Sequence, residues 1–278
     1  MKKTMFGTYI TIVICAVITL LIHIYPYSSS LTEKSIFFGA YYKAFIIAGE
    51  WWRMVTCGLV HVEIPHLLMN MFSLWMLGST LEQLYGTKKF LLLLFVSVLG
   101  GSVFLFVSSG NTVAVGLSGG IYGLFASYIF LVGMGGGFHD AAVRNSLLRT
   151  ALLNIAINFL PGIAWKAHFG GAIAGLLLTM ILHDNPNWKA LRVNSMIAFA
   201  GMVILCYAGI RKSAYIPSSQ RYVKTDQNIL KMEWNLGAHT HVRQMAARLD
   251  SLYDITYLEP MFREEKGYAE ANGYTQLG

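Results

Sequence analysis

Charged residues are rare in long stretches of this chain, and each stretch approaches the roughly 20 apolar residues that a helix needs to cross the hydrocarbon of a bilayer. Such runs lie near residues 8–25, 65–81, 90–108, 117–134, 147–160, 163–182 and 194–210, the fifth being short. The chain is 278 residues long and only 13% charged, where soluble domains carry about a quarter charged residues. The expected fold is all-α: a polytopic transmembrane helical bundle of about seven spans. The end of the chain differs, with 9 Lys or Arg and 8 Asp or Glu after residue 210 against 12 and 6 before it. It reads as a small soluble, partly helical tail, and apolar spacing from Ile229 to Leu252 predicts a packed helix pair there.

A net charge of +7 does not signal nucleic acid here, because the basic residues sit in short loops, where they set orientation. If Lys2 and Lys3 stay inside, so do Lys88, Lys89, Arg144, Arg149, Lys189 and Arg192. This predicts a multi-pass protein of the cell membrane with its tail outside. The basic start and apolar stretch of residues 1–30 resemble a secretory signal, but no small-x-small cleavage site follows Pro26, so an uncleaved first span is expected. Cys15, Cys57 and Cys206 are too few for a framework of paired disulfides.

With this threading the second, fourth and sixth runs descend from the outer face, and the unusual polar residues gather at one depth: His66 and Asn70, Ser118, and His168. Charged groups in spanning segments cost about 2.5–3.5 kcal/mol on insertion scales, so polar ones there are functional suspects. Ser118 lies in Gly116-Leu117-Ser118-Gly119-Gly120, a turn-like segment opening an apolar helix, whose first N–H groups suit a developing oxyanion. Alone that pattern is weak, since small residues in spanning helices more often serve close packing. The histidine strengthens it. Gly171 and Gly175 form a small-x-x-x-small stripe, His168 precedes Gly171 by three and shares its face, and Gly119 and Gly123 offer a matching surface. A neutral imidazole that takes a hydroxyl proton and returns it to a leaving amine is the minimum apparatus of acyl transfer.

No Asp or Glu lies in the outer halves of these runs, so the expectation is a Ser-His dyad rather than a triad. Tyr122, one turn beyond Ser118, is placed to pack on the imidazole. His66 and Asn70, at i and i+4, share a helix face and suit an oxyanion hole; an isolated pair of this kind would read as interhelical hydrogen bonding. His61, Glu63 and His66 do not make H-E-x-x-H, and Pro65 interrupts them, so neither a metal nor a cofactor is expected.

Read in order, Gly49-Glu50-Trp51-Trp52-Arg53, His61, His66-x-x-x-Asn70, Gly116-x-Ser118-Gly119 and Ala167-His168 with Gly171 and Gly175 resemble the rhomboid family of intramembrane serine proteases. The resemblance divides the chain into a first span and loop start (1–48), a catalytic core (49–183), an added C-terminal span (184–210) and the soluble tail (211–278). It implies Ser118 as nucleophile, His168 as base, His66 and Asn70 as oxyanion partners, Tyr122 stacked on the histidine, and Arg53 as a structural residue of a loop hairpin. Glu82 resembles a structural position and reads equally well as a helix-end charge facing water. Transmembrane proteins in the lipid bilayer are then the expected substrates, cleaved near the outer face. The rival is a noncatalytic relative that binds membrane proteins for quality control. No internal repeat supports a transporter. Oligomeric state is not legible.

Overall fold

The computed structural model describes residues 5–26, 28, 30–183, 186–213 and 216–263. Its first helix, α1 (Phe6–Ile24), is followed by a structured segment made of α2 (Leu31–Phe37), β1 (Tyr41–Tyr42), α3 (Lys43–Ile47), α4 (Arg53–Thr56) and a 3-10 turn at Cys57–Leu59. The bundle continues with α5 (Ile64–Tyr85), α6 (Thr87–Ser108), β2 (Val113–Ala114), α7 (Ser118–Met134), α8 (Ala141–Ile157), α9 (Trp165–Leu182) and α10 (Lys189–Lys212). Three helices close the described chain: α11 (Gln220–Asn235), α12 (His239–Tyr253) and α13 (Leu258–Arg263). The fold is the all-α polytopic bundle that the apolar runs predict.

Among the described residues four helices, α1, α6, α9 and α10, are long and apolar enough by length and composition to cross a membrane, and α7 is a shorter apolar helix. Helix α5 has the length but carries His66, Asn70, Glu82 and Gln83, and the 17-residue α8 carries Arg144 and Arg149. Several polar side chains in the apolar helices bond to their own backbone: Thr11 donates to Gly7 O at 2.7 Å and Thr19 to Cys15 O at 2.8 Å. That satisfies groups for which lipid offers no partner.

Helices α6, α7 and α9 form the centre, and small residues let them touch. A Cβ on Gly171 would stand 2.1 Å from Gly119 O, one on Gly175 2.5 Å from Gly123 Cα, and one on Gly101 2.4 Å from Ala167 O. Backbones this close give van der Waals packing where lipid supplies no hydrophobic drive between helices. Helix α8 is the opposite case, with no buried residue along its length.

Buried charges fasten the helix ends. Glu82, 1% exposed, accepts from Gly7 N–H at 2.7 Å, Thr8 N–H at 2.8 Å, the Thr8 hydroxyl at 2.8 Å and the Thr87 hydroxyl at 2.7 Å. It therefore sits as an anion against the unpaired N–H groups of the α1 N-terminus. Of the two readings of Glu82, the structure selects the structural one. At the other end of α6, Lys43 donates to Phe106 O at 2.8 Å and Ser109 O at 2.7 Å, while Lys166 donates to Ser108 O and Ser109 Oγ. Both cations meet the carbonyl end of the helix.

The 37–63 loop is itself a packed body. Arg53, 3% exposed, donates to Glu50 and to the Ile36 carbonyl and lies 5.0 Å over the Phe45 ring. Strand β1 pairs antiparallel with β2, Tyr41 opposite Ala114 and Tyr42 opposite Val113, which ties this loop to the segment leading into Ser118. Helices α11 and α12 pack on the other side, where Ile229, Leu230, Trp234, Val242 and Met245 share one core with Ile36, Ala44 and Phe45. Asp226 is buried at that junction and accepts from the Tyr42 and Tyr253 hydroxyls, each at 2.7 Å. Removal from water pushes its carboxyl up to about 7.

Candidate active site

Helices α5, α7 and α9 all begin at the same end of the bundle, and their first turns supply His66, Ser118 and His168. Ser118 opens α7 two residues after Gly116, whose φ of +110° only glycine adopts without strain. The glycine is required for space as well, since a Cβ there would lie 2.5 Å from His66 Cε1 and 2.8 Å from His66 Nε2. The His66 ring thus lies directly over the turn that presents the serine.

Ser118 Oγ is 2.8 Å from His168 Nε2, and His168 is 7% exposed. The small-residue stripe explains the contact: Gly171 against Gly119 sets α9 on α7 at a separation that puts His168 beside Ser118. Tyr122 stacks on the imidazole with centroids 4.2 Å apart and planes at 7°, and its hydroxyl donates to Asn154 O at 2.9 Å. Asn70 donates to the His66 carbonyl at 2.9 Å, and its buried Oδ1 has no partner. The amide of Leu117 is taken: it donates to His61 Nε2 at 3.3 Å. Burial, and then the neighbouring His66 ring, hold His61 down at about 3, so it is neutral and able to accept. The Ser118, Gly119 and Gly120 amides belong to the first turn of α7, which has no intrahelical acceptor for them.

These sequence-predicted residues fall into two sets. Ser118, His168, Tyr122, Gly116, Gly119, His66 and Asn70 form one neighbourhood, while Gly171 and Gly175 serve the α7–α9 contact and Arg53 the loop. One participant was overlooked. Asn158, immediately after α8, places Oδ1 2.5 Å from His168 Nδ1 and donates through Nδ2 to Asn154 O at 2.8 Å and Tyr122 Oη at 3.1 Å. A signal was present, since Asn154 and Asn158 repeat the i, i+4 polar spacing of His66 and Asn70 near the end of the fifth apolar run.

Away from this neighbourhood, Glu50, Glu233 and His241 bring potential ligand atoms within 4.8 Å of one another. Glu50 already accepts from Arg53 and, at 2.8 Å, from His241, which makes the group a hydrogen-bonded contact between α12 and the loop.

The family model for the Rhomboid domain matches residues 48–185, a span that contains every residue of this neighbourhood. The chain is 33% identical over 154 residues to RHOMBOID-like protein 5 of Arabidopsis thaliana, covering 54% of this chain and 50% of that one. It is 30% identical over 155 residues to the rhomboid protease GluP of Bacillus subtilis (strain 168), covering 55% and 30%. It is 34% identical over 144 residues to the rhomboid protein YdcA of the same organism, covering 50% and 71%. The chain thus spans half or less of the length of the first two relatives. Serine, histidine and glycine stripe in the expected order, an all-α membrane bundle and these matches together make the chain a member of the rhomboid family.

Proposed function

We propose that this chain is an intramembrane serine endopeptidase that cuts transmembrane segments of other membrane proteins near the outer face of the cell membrane. The observation that carries the reading is the 2.8 Å approach of Ser118 Oγ to His168 Nε2 at the shared end of α7 and α9. A relative named as a rhomboid protease supports it. Ser118 attacks the scissile carbonyl as His168 takes the hydroxyl proton. The oxyanion that forms meets first-turn amides of α7, with His66 and Asn70 beside it. His168 then protonates the leaving amine, and water resolves the acyl-enzyme by the same steps in reverse.

Helical carbonyls are hydrogen-bonded and shielded, so the substrate has to unwind locally. Segments with small or helix-breaking residues near their outer end are the preferred class, because they open at lower cost. In this reading residues 49–183 carry the catalysis, residues 184–210 an added span, and residues 211–278 a soluble outer tail.

The test is cleavage of a labelled single-span substrate in proteoliposomes. The unmodified chain is expected to release two fragments and the Ser118→Ala chain none. Equal cleavage by both would sink the nucleophile assignment. No cleavage by the unmodified chain across substrates with varied outer ends would favour a noncatalytic, membrane-protein-binding role.

A further inference from the structure

A histidine that is to accept a proton at Nε2 must carry its own proton on Nδ1, and that tautomer is stable only if something accepts from Nδ1. Among the described residues no carboxylate bonds to Nδ1, but the Asn158 carboxamide does, with Oδ1 2.5 Å from His168 Nδ1. Which end of a carboxamide faces which partner is decided by the surrounding bonds. The Asn154 carbonyl can only accept, and Asn158 Nδ2 lies 2.8 Å from it, so the amide end must point there. The Tyr122 hydroxyl agrees: it spends its proton on Asn154 O at 2.9 Å and receives Nδ2 at 3.1 Å. Oδ1 is thereby turned to His168, and an oxygen of this kind can only accept. Nδ1 therefore donates, and the Nε2 lone pair faces the Ser118 hydroxyl at 2.8 Å.

We infer that Asn158 is a positioning residue that holds the His168 proton on Nδ1 through its contact with that nitrogen, converting the serine–histidine pair into a Ser118–His168–Asn158 chain. The inference rests on the proposed protease function for its kinetic meaning, but the tautomer itself does not depend on that function. A carboxamide in this place orients the ring without the charge that a carboxylate would bring, a choice also made by cysteine proteases with a Cys-His-Asn arrangement. Asn158 and its anchor Asn154 sit at the end of α8, the helix with no buried residue.

The experiment uses the full chain labelled with ¹⁵N-histidine in detergent micelles, the His168 signals being identified by their loss in His168→Gln. In the unmodified chain one His168 tautomer, protonated on Nδ1, is expected. Asn158→Leu is expected to give a mixture of tautomers and to lower kcat about 10- to 100-fold with KM within about twofold. Asn158→Asp restores an acceptor and adds charge, so it should keep the tautomer and move the acid limb of the kcat profile to higher pH. If Asn158→Leu fails to fold, the Asn158→Asp tautomer and pH shift carry the test. An unchanged tautomer and kcat in Asn158→Leu, or an Asn158→Asp chain with an unmoved acid limb, would overturn the inference. Loss of the fixed tautomer in Asn158→Leu, with no proteolysis by the unmodified chain, would uphold the inference and reject the protease reading.

Discussion

Helices α7 and α8 are each 17 residues long and are joined at the site through the Tyr122 hydroxyl, yet they are built on opposite terms. Helix α7 buries Gly119, Gly120, Ile121, Gly123, Leu124 and Ser127 and meets α9 backbone to backbone. Helix α8 buries nothing, and Leu152, Leu153 and Ile155 are more than half exposed. The contrast divides the labour within one site. The proposed nucleophile and base, Ser118 and His168, ride on helices that meet backbone to backbone, while the partners of Tyr122 and His168 Nδ1 ride on or beside a helix that buries no residue. Geometry that must be kept within a fraction of an ångström belongs on the first kind of support.

The largest expected effect comes from filling the tight interface. Gly171→Leu drives a side chain into the Gly119 carbonyl and should lower stability by at least about 3 kcal/mol, read as failure to accumulate or a lower detergent unfolding midpoint. Leu152→Ala, at a side chain 65% exposed on α8, should leave the midpoint within about 0.5 kcal/mol. Equal damage from the two would end the comparison.

The junction of tail and loop comes next. Asp226 is raised to about 7 when folded from an ordinary 3.8, so the folded chain holds a proton that the unfolded chain gives up first. Stability of this junction is therefore full below about pH 4 and declines as pH rises toward 7, by an amount on the order of a few kcal/mol. The groups facing Asp226 are the Tyr42 and Tyr253 hydroxyls, neither of which titrates in that window. Unfolding followed through Trp234 fluorescence should show the decline, and Asp226→Asn should flatten it.

Glu82→Gln should cost about 1–3 kcal/mol, because it removes the charge that gathers the α1 amides and Thr87. The smallest change is Tyr122→Phe. It keeps the stacked ring and loses only the hydroxyl's bonds to Asn154 and Asn158, so unfolding should move by less than about 1 kcal/mol. Its kcat should drop severalfold, less than for Asn158→Leu.

What the sequence made legible follows from what is periodic in it. Uncharged runs mark the spanning helices because lipid punishes charge wherever it falls. The Gly171/Gly175 stripe predicts a backbone contact because only glycine permits one. The capping roles of Lys43 and Lys166 were hidden, since a lysine beside a helix end looks the same whether it faces water or caps a carbonyl in another helix. The Asn154/Asn158 spacing marks a polar face but does not name its partner, because His168 is ten residues on, across the loop from α8 to α9, a distance no helical period links. The 37–63 loop reads as a connection because its packing depends on one arginine reaching Glu50 and the Ile36 carbonyl, which spacing does not encode.

The most direct test of the central claim, that Ser118 is activated by His168 on the α7–α9 pair, is a fluorophosphonate reaction with the full chain in detergent, with the adduct located by mass spectrometry. The account predicts one adduct, on Ser118, formed by the unmodified chain and not by His168→Ala. An adduct on another serine, or equal labelling of Ser118 without the histidine, would contradict it.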